Sequence, residues 1–167
     1  MNNKRQSLPS SVTGNTLTAG DLTVAANGAL KHAVAKFQWT NALVAALGAV
    51  TTGNLKVCTL PAKTLVKKVT VVITGQAAGL TACTVSVGRT GTAYIDYVVA
   101  ASAKAAANTI YGDAIAEIGT GLADTAGSFP SLASTTDVYV QFLSSVENLS
   151  NITGSSGDIY IEYVVLP

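Results

Sequence analysis

Residues 158–166, DIYIEYVVL, place Ile159, Ile161, Tyr163 and Val165 on one side of an extended chain and Tyr160, Glu162 and Val164 on the other. Alternation with period 2, in a run rich in Ile, Val and Tyr, reads as a strand with one face turned to a core. Residues 137–144, DVYVQFLS, repeat the pattern with Val138, Val140 and Phe142. The link between the two, ENLSNITGSSG, is made of turn-forming Asn, Ser and Gly. Residues 31–39, KHAVAKFQW, alternate as well, with His32, Val34, Lys36 and Gln38 opposite Ala33, Ala35, Phe37 and Trp39.

Between these ends, residues 55–60, 63–74, 83–89 and 92–99 are rich in Val, Thr, Ile or Tyr and are separated by Pro61, Gly75, Gly79 and Gly91, so each reads as a strand. In 83–89, Cys83, Val85 and Val87 oppose Thr84 and Ser86, which predicts one buried and one wet face. Residues 41–50, NALVAALGAV, stay open between a strand and a short helical turn, because Ala and Leu favour helix while Gly48 and the flanking strands do not. Residues 100–107, AASAKAAA, have a helix-forming composition without an apolar stripe. Residues 108–121 read as loop and short β segments, and 119–136 as a long mobile or binding loop. Seven or eight short strands without helix–strand alternation predict an all-β fold, an antiparallel β-sandwich of jelly-roll or Greek-key kind, over residues 31–167.

Residues 1–30 carry only scattered apolar side chains (Leu8, Val12, Leu17, Leu22, Val24) and no sustained period. Such a segment cannot offset its ordering entropy alone, so it is either disordered or an extended N-terminal arm laid against something else, such as a neighbouring subunit.

The 167 residues suit one domain. The composition is 49% hydrophobic and only 11% charged, against about a quarter charged in ordinary domains. A surface of Thr, Ser, Ala, Gly and Asn has little self-repulsion and can meet another protein without a large desolvation cost, which favours assembly over a freely diffusing monomer. With a net charge of +1 and only Lys4, Arg5 and Lys67, Lys68 as adjacent basic pairs, there is no basic track for nucleic acid. No run approaches the 18 or so apolar residues of a membrane span, and MNNKRQSLPSS lacks the apolar stretch of a secretory signal, so synthesis in the cytosol is expected. On that reading the sequons at Asn148 and Asn151 go unused.

Catalytic patterns are scarce. Cys58 and Cys83 stand far outside a CxxC spacing, in apolar surroundings typical of free buried thiols. His32 is the single histidine, and it reads as a surface strand residue because sites need several converging groups. Residues 88–91 and 119–121 are glycine turns without the helix that phosphate binding needs. The nine acids sit mostly at strand ends (Asp96, Asp137, Asp158); Glu162, in mid-strand, reads either as a catalytic group or as a charge blunting a sheet edge. Four of the six Tyr fall at 94–97 and 160–163, as a sugar-stacking platform or, more simply, as packing at the core rim. No enzyme, metal site or cofactor is expected.

The succession of LPAKT at 60–64 running into LVKKVTVVIT, CTVSVGRTG, YIDYVVAASAKAAANT and the chain-ending GDIYIEYVVLP resembles virion structural proteins of tailed bacteriophages, over residues 55–167. The resemblance implies a capsid decoration (cement) protein, a β-sandwich module, often a homotrimer, that binds the outer head surface and bridges major capsid protein subunits. Tail, neck or head-fibre proteins share the texture, and a carbohydrate-binding sandwich is the other alternative. The expected partners are the major capsid protein and copies of the chain itself, with no nucleic acid and no membrane, on a virion assembled in the host cytoplasm. Candidate interface residues are Leu8, Val12, Leu17 and Leu22 of the arm, with Phe37 and Trp39, large aromatics that read equally well as core.

Overall fold

The computed structural model describes residues 20–23, 31–90, 94–112 and 131–167. The chain forms β1 (Gly20–Thr23), β2 (Lys31–Trp39), α1 (Asn41–Ala45), β3 (Thr52–Leu60), β4 (Thr64–Gly75), β5 (Cys83–Arg89), β6 (Val98–Ser102), β7 (Ile110–Tyr111), β8 (Thr136–Ser144) and β9 (Ser156–Val165). One sheet, A, has the order β1-β2-β9-β4-β7, and the other, B, has the order β3-β8-β5-β6. From β2 onward the chain changes sheet at every connection except β5 to β6. All strand pairings among the described residues are antiparallel, so the expected all-β antiparallel sandwich is what the chain builds.

The alternation read from the sequence sorts the side chains. Ala33, Ala35, Phe37 and Trp39 of β2, Ile159 and Ile161 of β9, and Val138, Val140 and Phe142 of β8 all point into the core. Trp39 joins the layers: its ring meets Phe142 of the opposite sheet edge to face at 5.7 Å, and its Nε1 donates to Ser155 Oγ at 3.1 Å. Gly157 pairs with Trp39 in the ladder, and a Cβ there would collide with the indole, so glycine is what makes room for it.

One open segment resolves and several expectations change. The open segment 41–50 becomes a five-residue helix, because the Thr40 hydroxyl caps the Leu43 N–H and Gly48, at φ +92°, turns the chain out of it. The strand expected at 92–99 begins only at Val98. Before it, residues 94–97 fold back over Gly88, whose missing side chain leaves room for the Tyr94–Asp96 backbone; Gly88 therefore lies inside β5 and not in a hairpin turn. That turn is held by Asp96, which accepts from the Arg89 backbone N–H at 2.7 Å and from its guanidinium at 3.0 Å. The Ala-rich run at 100–107 starts as the end of β6 and continues as turns, since without an apolar stripe a helix there would have no face to bury. Finally, Glu162 sits on β9 between β2 and β4, so it cannot blunt an edge.

Of the expected arm, residues 20–23 form β1 on β2; Leu8, Val12 and Leu17, the side chains of Leu22 and His32, and most of the 119–136 loop lie outside the described residues.

Candidate subunit-contact face

The outer face of sheet B is assembled in rows by the strand register. One row crosses all four strands as Thr52, Leu143, Thr84 and Ser102. The next holds Asn54, Gln141 and Ser86, and a third Lys56, Tyr139 and Gly88. Side chains add contacts within the rows and to the Tyr94–Ala100 segment. Gln141 Nε2 donates to Asn54 Oδ1 at 3.2 Å, the Ala100 N–H donates to Ser86 Oγ at 3.2 Å, and Tyr94 meets Tyr139 edge to face at 5.6 Å. Ser86, expected on a wet face, is thereby buried.

Across these three rows Lys56 is the one formal charge, and it is held at the β3 border by Asp137, 2.8 Å away. The Lys56 ammonium, with the Thr59 hydroxyl donating at 2.6 Å, keeps the Asp137 carboxyl below its ordinary 3.8, and the same pairing raises Lys56. At the Leu143 end of the face, the Ser144 N–H donates to the Thr51 carbonyl at 2.8 Å and the Leu149 N–H to the Val50 carbonyl at 2.7 Å. Those bonds bring Val50 and Val146, 43% and 74% exposed, to the same corner as Leu143, 46% exposed.

The outer face of sheet A follows the same geometry with different chemistry. Its rows are Val34, Glu162 and Lys68; Lys36, Tyr160 and Thr70; and Gln38, Asp158, Val72 and Ile110. Asp158 accepts from the Tyr160 hydroxyl and pairs with the Lys36 ammonium, both at 3.4 Å. The Lys36 ammonium lies 5.3 Å from the Tyr160 ring centroid, and the Tyr160 hydroxyl and the Asp158 charge raise its pKa. Val34 and Ile110 are exposed here, so what separates the faces is charge more than apolar area.

The sequence-based candidates distribute unevenly. Phe37 and Trp39, offered as interface anchors, are core, as their alternative reading had it. The tyrosines form no shared platform: Tyr97 and Tyr163 are buried, Tyr160 lies on sheet A, and Tyr94 lies against sheet B. Cys58 and Cys83 are free and buried, and burial pushes their thiols up to about 12 and about 11. Among the described residues no group of three or more His, Cys, Asp or Glu could hold a metal, and no helix is long and apolar enough to cross a membrane. Sequence reasoning missed the neutral plate as a unit, although its signal was present as Thr, Asn, Ser and Gln at alternate positions of 52–54, 84–86 and 141.

No family model and no curated protein matches the chain. Its structure is similar to a chain of the cyanophage Pam1 capsid asymmetric unit, at 18% identity over 100% of this chain and 98% of that one, with a TM-score of 0.44. It is also similar to a chain of the acidic stable capsid structure of Helicobacter pylori bacteriophage KHP30, at 16% identity over 80% and 87%, with a TM-score of 0.45.

Proposed function

We propose that this chain is a non-enzymatic structural protein of a tailed-phage virion, a decoration protein that seats the outer face of sheet B on the head and bridges major capsid protein subunits. The observation that carries the reading is the neutral plate: three rows across sheet B with a single formal charge, already paired at the border. Desolvating such a face costs less than desolvating a charged one, because its polar groups are neutral and several already have a partner: Gln141 bonds Asn54, Ser86 takes the Ala100 N–H and Thr84 donates to the Leu143 carbonyl. The sequence texture over residues 55–167 supports the same class.

The mechanism is adhesion. A standard interface of about 1,600 Å² spans a wide range of affinities, but a copy that touches several lattice subunits, or that binds as a homotrimer, gains from effective concentration. Leu143, Val50 and Val146 supply the apolar corner of the contact, and the charged face of sheet A stays in water.

The test is co-sedimentation of the purified chain with undecorated heads. Saturable binding that is lost in Thr84→Lys supports the reading; failure to bind heads together with saturable binding to a glycan would replace it with the carbohydrate-binding alternative.

A further inference from the structure

β3 forms an edge of sheet B: it pairs with β8 on one side, and among the described residues nothing pairs with the other. With nine residues it is the longest edge strand described, since β1, β6 and β7 have four, five and two. Such an edge presents backbone N–H and C=O groups that can template another strand.

Hydrogen bonding to β8 fixes which groups these are. The Ser144 N–H donates to the Thr51 carbonyl, so Thr51 and Ser144 form a hydrogen-bonded pair. Along an antiparallel ladder, successive residues turn their backbone groups alternately to one neighbour and to the other. The register is regular from Thr52 to Lys56, so Gly53 and Leu55 bond β8, while Thr52, Asn54 and Lys56 aim at the open edge. All three are exposed, and the bulge between Lys56 and Cys58 ends their row.

The row is self-complementary. A twofold axis through Asn54 sets Asn54 against Asn54 of a second copy and Thr52 against its Lys56, and each such pair exchanges both N–H···O bonds. The two lysines then lie four residues apart along the strands, roughly 13 Å at about 3.3 Å per residue, which exceeds the Debye length of about 8–10 Å in ordinary salt. Each Lys56 ammonium is also drawn to Asp137 on β8, away from the edge. An axis through Lys56 would instead oppose two cations.

The core side of the row fits the same register. Gly53 has no side chain, and Leu47 lies over it, so that a Cβ there would come within 2.8 Å of Leu47 Cδ1. Leu55 and Leu47 are both half-buried apolar residues packed against the core. With the axis at Asn54, Leu55 opposes Gly53 of the second copy and covers the glycine beside that copy's Leu47. An apolar contact thus accompanies the backbone bonds.

We propose that two copies of this chain pair antiparallel through β3 with the twofold axis at Asn54, so that their B sheets run on as one continuous sheet. The pairing closes at two copies, and so yields a dimer where the sequence resemblance implies a homotrimer. It does not depend on the virion reading, since it concerns the free chain. A ladder confined to Thr52–Lys56 buries well under the standard interface of about 1,600 Å², so association is weak and reversible in dilute solution.

The experiment is sedimentation velocity on the full chain from micromolar to millimolar concentration, where a monomer–dimer equilibrium is expected. Asn54→Lys opposes two cations across the axis and Asn54→Asp two carboxylates, so each alone should weaken the dimer at least about tenfold. An equimolar mixture of the two variants should dimerise again, because position 54 faces itself only in this register. A monomer at every concentration, a trimer, a dimer that neither variant weakens, or a mixture that stays monomeric overturns the proposal. Amide exchange on the unmodified chain tests it without a substitution. The Thr52, Asn54 and Lys56 amides are expected to exchange several-fold more slowly in concentrated than in dilute solution, with those of β6 unchanged, and rates independent of concentration overturn it.

Discussion

The two outer faces of the sandwich are built from the same ladder geometry, yet they are prepared for different surroundings. Sheet A turns Lys36, Lys68 and Glu162 outward, with Lys36 tied to the buried Asp158, which also accepts from Tyr160. Sheet B turns out neutral Thr, Asn, Ser and Gln, with Gln141 bonded to Asn54 and Ser86 to the Ala100 N–H, and its three rows confine formal charge to a border pair. Exposed charges that must keep their water resist burial against a partner more than a neutral plate does. On the proposed reading, solvent belongs to one face and protein to the other.

Substitutions sharpen that contrast. The largest effect belongs to neither face: Trp39→Ala removes the side chain that joins the layers and should cost about 3–5 kcal/mol in denaturant unfolding followed by circular dichroism. Head binding by the remaining folded fraction should be unchanged, whereas normal stability with lost binding would return Trp39 to the interface. Thr84→Lys and Leu143→Lys should each lower head binding at least about tenfold, roughly 1.4 kcal/mol, while shifting stability by no more than about 0.5 kcal/mol. The matched change on sheet A, Val34→Lys, should leave binding within about twofold; equal losses from both faces would break the comparison.

The smallest effect is at the charged border of sheet B. Because Asp137 titrates below its ordinary value in the folded chain, its pairing stabilises the fold above the unfolded carboxyl pKa of 3.8, and that contribution disappears as the pH falls through the lower folded value. Melting curves of the wild type and Asp137→Asn should differ slightly near neutrality, less so in high salt, and converge in acid.

Much of this fold was legible in residues that alternate without interruption. DIYIEYVVL, DVYVQFLS and KHAVAKFQW gave strands whose buried sets match the core, because one-sided burial enforces period 2, except at the end of β9, where Val164 of the opposite face is buried and Val165 only half-buried. Reading failed where a distant partner decided the outcome. The Tyr94–Tyr97 turn depends on Gly88 and Arg89 on the preceding strand, and the place of Glu162 depends on β9 lying between two strands far away in sequence. The contact face was harder still. Its rows are assembled from four separate strands, so no single stretch shows that the charges stop at its border.

The assignment of the two faces is tested most directly by cryo-electron microscopy of heads saturated with the purified chain. The account predicts Thr52, Leu143 and Thr84 against the capsid shell, with Lys36 and Glu162 in solvent. Sheet A seated on the shell, or heads left bare at saturating concentration, would contradict it.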